Sequence, residues 1–262
     1  MKKLSLIVFC FITIIACKQE QKTEDYKNTE LNITTSIYPE KISKVFDAHG
    51  GIDAWNSMEY LYFEIEKPTV NDMYDVALKS RKSLISYEHH LLGFDGDNVW
   101  LKNLDTVTYK SNPKFYYNLM FYFYAMPFVL GDDGIHYAES EPLEFEGVTY
   151  PGILISYESG VGESPDDEYI LYYHPDTFKM EWLAYTVTFF SKEKAKAFNL
   201  IKYANWQQID GLMLPSNLQW YQYKDGKIGD VRNEVKFVNA KLLNQVPDEI
   251  IFKVPDSTMI VE

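Results

Sequence analysis

The five histidines are the residues best suited to metal binding or acid–base chemistry, and their spacing brings none of them together with a partner. His89 and His90 are adjacent in a predicted strand, so they point to opposite faces and cannot bind one ion as a pair. His49 precedes Gly50 at the end of a predicted helix, where an imidazolium interacts favourably with the last carbonyls. His174 starts a His-Pro-Asp sequence that is typical of a turn. We therefore expect no metal site and no catalytic histidine.

Carboxylates are abundant, but no pair is singled out among the 38 acidic residues. Acidic clusters at residues 95–98, 132–134 and 163–168 are interpreted as turns or a solvated loop, since they lack the full ligand set of a calcium loop. A carboxylate pair for glycoside hydrolysis could come from distant strands. The nucleophile elbow, the phosphate loop, the dinucleotide glycine fingerprint and the zinc-protease helix are all missing from the sequence. The sequence thus predicts no catalytic residue and no cofactor, and it favours a non-enzymatic role while leaving enzymatic activity open.

The charge and size of the chain limit its partners. The chain has 262 residues, 46% of them hydrophobic and 16% aromatic, which is enough to bury a substantial core. Its net charge is -13, and no Lys/Arg-rich run could neutralise a phosphate backbone. Nucleic acid is therefore excluded as an expected partner.

The first residues have the pattern of an export signal. Lys2 and Lys3 precede an apolar run over residues 4–16, and the run ends in Ile14-Ile15-Ala16-Cys17. This ending resembles the lipobox of bacterial lipoproteins, which implies cleavage before Cys17 and attachment of acyl chains such as palmitate to it. An ordinary secretory signal is the alternative. We expect a signal peptide over residues 1–16 and a polar tether over 17–37, with the protein anchored in the membrane through Cys17. In the lipoproteins that this ending resembles, an Asp directly after the Cys is associated with inner-membrane retention. Lys18 stands in that position here, so the resemblance implies the outer membrane, and the leaflet is left open.

The rest of the chain, residues 38–262, is predicted to form one mainly β (α+β) domain. A helix is expected over residues 38–51, ending at Gly50-Gly51, and an all-round apolar helix over 112–126. Asp-Gly pairs at 210–211 and 225–226 predict hairpin turns between three long antiparallel strands. The predicted strands cover residues 59–66, 73–80, 83–90, 98–101, 106–109, 182–190, 200–209, 212–223 and 227–240.

A family resemblance rests on several short motifs. They are Ala48-His49-Gly50-Gly51 followed by Trp55, residues 206–216, and the closing stretches 235–242 and 247–252. The chain resembles a domain-of-unknown-function family of bacterial lipoproteins whose fold is similar to the LolA/LolB lipoprotein carriers. The resemblance implies a single antiparallel half-barrel with an apolar concave face and a helical lid or plug. It supplies no catalytic residue.

These observations favour the binding of a hydrophobic ligand as the function. The half-barrel would bind or chaperone a lipid or acyl chain, with the helix over 112–126 as its lid, and a plugged core would give the same sequence pattern. Apolar character alone suggests five candidate lining residues: Trp55, Phe115, Tyr116, Met120 and Phe123. The alternatives are a structural or docking lipoprotein that holds an envelope partner, and an envelope glycan or ester hydrolase.

Overall fold

The computed structural model describes residues 37–158, 166–190 and 197–261. Residues 36–262 form one compact unit that contains every core cluster found in the described part of the chain. This unit therefore has a hydrophobic core of its own, as an independently folding domain does. The predicted signal peptide, Cys17 and the tether up to residue 36 lie outside the described residues.

Four short helices and thirteen strands make up the described unit. The helices are α1 (Glu40–Ala48), α2 (Ile52–Asn56), α3 (Pro113–Tyr116) and α4 (Leu119–Tyr124), with single 3-10 turns at Phe128–Gly131 and Glu249–Phe252. The strands are β1 (Tyr60–Ile65), β2 (Asp72–Ala77), β3 (Ser83–Ser86), β4 (His90–Phe94), β5 (Val99–Asn103), β6 (Ile135–Phe145), β7 (Val148–Tyr157), β8 (Tyr169–Tyr173), β9 (Met180–Tyr185), β10 (Asn199–Ile209), β11 (Leu212–Lys224), β12 (Lys227–Leu243) and β13 (Met259–Ile260).

All thirteen strands belong to one antiparallel sheet in the order β13-β5-β4-β3-β2-β1-β12-β11-β10-β9-β8-β7-β6. The first strand, β1, lies near the middle of the sheet, and β2 to β5 follow it outward on one side. The chain then crosses to the opposite edge, where β6 lies. It then returns strand by strand until β12 pairs with β1. Within the described residues no ladder joins β13 to β6, so the sheet is open, as the predicted half-barrel requires.

The main core lies between the helices and one face of the sheet. Alternate residues of β1, Leu61, Phe63 and Ile65, are buried there, which is the period of a strand with one covered face. α1 buries Ile42, Val45 and Phe46 against the same core. No helix in the described ranges is long and apolar enough to cross a membrane.

The predicted helix at 38–51 is confirmed as α1, and both predicted Asp-Gly hairpins are confirmed. The helix predicted over 112–126 is instead two short helices, because Asn118 leaves the helical conformation with φ near −130°. The strand predicted over 83–90 is wrong in extent, since the chain turns at Tyr87 and pairs back as β4. Residues 106–109 are not a strand, and β6 and β7 were not predicted. Residues 163–165 of the predicted acidic loop lie outside the described residues.

Candidate functional site

The candidate site is a cavity of about 340 Å³ between the α3–α4 segment and the sheet. Its walls come from four separate parts of the chain. The lining residues are Val76, Arg81, Ser83, Lys114, Phe115, Tyr117, Asn118, Leu119, Phe121, Tyr122, Phe123, Val129, Asp132, Asp133, Tyr157, Asp167, Tyr169 and Phe189.

Aromatic and aliphatic side chains form the body of this cavity. Phe121 and Phe123 of α4 are buried, and so are Val76 of β2 and Val129 of the following 3-10 turn. α4 is held in place from the sheet, because the buried Tyr203 hydroxyl of β10 donates a hydrogen bond to the Phe123 carbonyl at 2.8 Å. The α4 segment is apolar nearly all round because it packs on the sheet while also facing the cavity.

Two tyrosines of the sheet, Tyr157 on β7 and Tyr169 on β8, add phenol rings to the wall. Their ring centroids lie 5.8 Å apart in an edge-to-face arrangement. Burial raises the pKa of both hydroxyls, and neighbouring acidic groups raise it further. Both side chains are therefore neutral at physiological pH and offer an amphipathic surface rather than a charge.

Arg81 and Asp132 form the polar end of the cavity. The Arg81 Nη2 donates to both carboxylate oxygens of Asp132, at 2.6 and 2.5 Å. The guanidinium carbon also lies 5.3 Å from the centre of the Phe121 ring. Burial raises the pKa of Asp132, and the positive charge of Arg81 acts in the opposite direction. The chain places Arg81 here through a tight turn after β2, in which the Arg81 amide donates to the Ala77 carbonyl at 2.8 Å.

Two donors at this polar end have no hydrogen-bond partner among the described residues. Arg81 Nη1 and Ser83 Oγ are both buried, and both residues line the cavity. Ser83 is the first residue of β3 and lies opposite Val76 of β2, another lining residue. Buried polar groups are nearly always paired in folded proteins, so two unpaired donors at one cavity are unusual.

Asp167 is the third acidic residue of the wall and is held by the segment after β9. It accepts a hydrogen bond from the Thr188 amide at 2.7 Å and from the Thr186 hydroxyl at 3.4 Å. Burial raises its pKa, while these hydrogen bonds lower it. Since Asp132 is ion-paired and Asp167 already accepts from two threonines, both carboxylates have structural partners.

An aromatic cluster borders the cavity next to α3. Phe115 and Phe189 line the cavity and pack on each other at 5.2 Å between ring centroids. Phe190 contacts both rings, at 4.9 and 5.1 Å, yet 66% of its surface is exposed. An exposed phenylalanine in a cluster of this kind is a common feature of surfaces that meet apolar partners.

The five residues suggested from apolar character alone have different positions. Phe115 and Phe123 line the cavity, whereas Trp55, Tyr116 and Met120 are not among its lining residues. Trp55 stacks on Phe128 in the core at 4.9 Å, Tyr116 is 37% exposed, and Met120 is half-buried against the core. Ligand contact by these five residues, and acylation of Cys17, stay predictions.

The sequence reasoning missed the polar end of the cavity. Asp132 was interpreted only as part of a turn, and nothing in the sequence around Arg81 and Ser83 indicates a binding site. The shared position of Ser83 and Val76 on the cavity wall becomes clear only when the pairing of β2 with β3 is known.

The histidines have structural partners. His49 is fully buried, with Nδ1 at 2.7 Å from the Val45 carbonyl and Nε2 at 3.4 Å from the Met180 amide. Burial is the main reason that its pKa falls to about 4, so the imidazolium expected at this helix end is wrong and the ring is neutral. The turn predicted at His174 is confirmed by two backbone hydrogen bonds. In the described residues no group of three or more His, Cys, Asp or Glu side chains could hold a metal ion.

No protein-family model matches the chain, and no curated protein matches it. Similar solved structures include a DUF1329 family protein from Desulfovibrio piger, 12% identical, covering 78% of this chain and 94% of that one, with a TM-score of 0.44. A LolA superfamily protein from Nitrosomonas europaea is 12% identical over 81% of this chain and 96% of that one, with a TM-score of 0.46. Lipoprotein LppX from Mycobacterium tuberculosis is 11% identical over 55% and 85%, with a TM-score of 0.24. LolA-type proteins are thus among the structures that this fold resembles, as the sequence resemblance implied.

Proposed function

We propose that this protein is a membrane-anchored lipoprotein of the bacterial envelope that binds a hydrophobic ligand, a lipid or acyl chain. The observation that carries the proposal is the cavity of about 340 Å³ between α4 and the sheet. Its body is aromatic and aliphatic and its polar groups are gathered at few points, which is the composition of small-molecule binding sites. Anchoring through Cys17 in the outer membrane is the part of the proposal that rests on the sequence alone.

The cavity volume sets the size of the ligand. A protein cavity of about 150 Å³ holds benzene, which has six carbons. On that scale, 340 Å³ accommodates a single chain of roughly a dozen carbons. The ligand would therefore be one acyl chain or a lipid of similar bulk, rather than a lipid with two or three long chains.

The expected affinity follows from the area that such a chain buries. Each buried methylene contributes about 0.8 kcal/mol, so a dozen carbons contribute roughly 10 kcal/mol before the cost of association. That cost is at least several kcal/mol because the ligand loses translational and internal freedom. At most about 6 kcal/mol then remains, so we expect dissociation constants of tens of micromolar or weaker.

The proposal can be tested by displacement of the neutral fluorophore N-phenyl-1-naphthylamine from the unit of residues 36–262. Methyl dodecanoate should displace it with saturable, one-to-one behaviour. Leu119→Trp, which adds an indole at a lining position of α4, should weaken binding at least tenfold by filling the cavity. Leu243→Trp is the matched control, because Leu243 is exposed on β12 and is not among the lining residues.

Thermal unfolding of both variants would show that each is folded. If the parent unit binds neither the fluorophore nor the ester saturably, the hydrophobic-ligand function is wrong. If binding is saturable but Leu119→Trp binds as well as the parent, the site is not this cavity.

A further inference from the structure

The two unpaired donors at the polar end of the cavity indicate which ligands it selects. Arg81 Nη1 and Ser83 Oγ belong to residues two positions apart, on the turn into β3, and both residues line the cavity. Each buried donor without a partner destabilises the folded chain. A ligand atom that accepts hydrogen bonds from both would remove this penalty at the place where the ligand is bound.

The charges around these donors decide between a charged and a neutral acceptor. Arg81 already pairs with Asp132 through Nη2, so its positive charge is largely offset. Among the residues that the structure describes, the lining also includes Asp133 and Asp167 and one other cation, Lys114. An anionic headgroup would therefore enter a site with an excess of carboxylates, and that arrangement disfavours it.

We propose that the cavity recognises a single-chain lipid by a neutral carbonyl, of an ester or an amide, which accepts hydrogen bonds from Arg81 Nη1 and Ser83 Oγ. This inference rests on the proposed function and adds the chemical class of the ligand. The alkyl chain would extend from this carbonyl along Phe121 and the rest of the apolar wall, because the guanidinium lies over the Phe121 ring.

The two donor atoms are covered by neighbouring protein atoms, so binding involves a local rearrangement. Ser83 can turn its hydroxyl toward the ligand by rotation about χ1, and Arg81 can turn Nη1 by rotation about the torsions of its aliphatic stem, since these sp³ torsions have several staggered positions. Nη1 and Nη2 belong to one planar guanidinium, so the Asp132 carboxylate that pairs with Nη2 must move with Arg81 if the ion pair is kept.

Ser83→Ala is the cleanest test, because Ser83 Oγ has no protein partner to lose. Binding of methyl dodecanoate and of dodecane to the unit of residues 36–262 is compared by displacement of N-phenyl-1-naphthylamine. Ser83→Ala should weaken the binding of the ester by about 3- to 10-fold, the range of one hydrogen bond. It should change the affinity for dodecane less than twofold. Its thermal midpoint should be unchanged or higher than that of the parent.

Ser86→Ala is the matched control, since Ser86 lies on the same strand and is not a lining residue. It should leave the binding of both ligands unchanged. Sodium dodecanoate tests the charge argument and should bind more weakly than the ester.

The outcomes separate this inference from the function on which it rests. If neither dodecane nor the ester binds the parent, the proposed function itself fails. If both ligands bind the parent and Ser83→Ala changes the two affinities equally or not at all, only the assignment of a carbonyl to this site is overturned. Dodecanoate binding that is tighter than that of the ester, despite its strongly hydrated charge, would overturn the choice of a neutral group.

Discussion

His49 should make the protein lose stability in mild acid, because protonating the ring breaks a buried contact between α1 and the sheet. In the neutral ring Nδ1–H donates to the Val45 carbonyl, and Nε2 accepts from the Met180 amide at the start of β9. The ring also packs edge-on against Trp206, at 4.4 Å between centroids. A proton on Nε2 would remove the acceptor for Met180 and place a charge where no water reaches it.

The size of the effect follows from the two pKa values. The unfolded chain binds the proton with an ordinary pKa of 6.5, and the folded chain with a pKa of about 4. The unfolded state therefore takes up more protons below pH 6.5, so this stabilisation is fully present above pH 6.5 and is lost as the pH falls toward 4. The complete loss is about 3 kcal/mol, of which about 2.5 kcal/mol falls between pH 7.5 and 4.5.

The measurement compares urea unfolding of the parent unit and of His49→Asn at several pH values in this range. Asn keeps a donor near the Nδ1 position and does not titrate, so its stability should be lower at neutral pH but fall about 2.5 kcal/mol less on acidification. The comparison is needed because partly buried carboxyls such as Asp72 and Asp132 have raised pKa values, which act in the opposite direction. His136→Gln, at an exposed position on β6, controls for the loss of a histidine and should keep the full loss of the parent.

Equal losses for the parent and for His49→Asn over this pH range would refute the reasoning. So would a direct titration by nuclear magnetic resonance in which the His49 ring takes up its proton near pH 6.5. Either result would mean that the ring reaches solvent in the native state.

Two further substitutions, Gly50→Ala with Gly51→Ala as its control and Tyr203→Phe, test how the helices are fixed to the sheet. Gly50→Ala should lower the free energy of unfolding by about 2–4 kcal/mol in urea, because a Cβ would overlap the Gly211 carbonyl oxygen and φ is +107°. Gly51→Ala, at φ +95° with nothing within 4 Å, should show only the smaller strain cost. Tyr203→Phe should lower the same free energy by about 1–2 kcal/mol, since the Phe123 carbonyl loses its buried donor, and a loss below 0.5 kcal/mol would contradict that role.

The long hairpins of the second half could be predicted from sequence because their signals are local. Asp210-Gly211 and Asp225-Gly226 all have positive φ, the conformation that these pairs adopt most easily in two-residue turns. The strands on either side alternate between faces, so their register follows from the turn. The helix before Gly50 could be predicted for the same reason, since its apolar spacing and its glycine end lie within a few residues.

The α3–α4 segment was predicted less well because its apolar residues have no single periodicity. Phe121, Phe123 and Tyr124 are all buried, although they do not share one helix face. Some meet the sheet and others the cavity, so tertiary packing rather than a local pattern decides where the helix ends. Short helices of this kind take most of their stability from packing.

The polar end of the cavity could not be predicted because its residues meet only in the folded chain. Arg81 and Asp132 are 51 positions apart and belong to different sides of the α3–α4 segment. A single arginine after a strand is usually a solvated surface residue, and an Asp-Asp-Gly sequence is usually a surface turn. Their pairing across the cavity depends on the turn after β2 and on the 3-10 turn before β6.

The buried contacts of His49 and the ligand cavity involve different residues. Their effects on stability and on ligand binding can therefore be measured separately. His49, Val45 and Met180 are absent from the cavity lining, and the cavity groups Arg81 and Ser83 make no contact with His49 in the hydrogen bonds of the described residues. Acid should therefore weaken the attachment of α1 through His49, while Ser83→Ala should change ligand selectivity without lowering stability. The binding assays are run at neutral pH, where His49 is not protonated, so its effect on stability does not enter them. A variant that changed both the acid sensitivity and the ligand selectivity would show that α1 and the cavity wall respond as one unit.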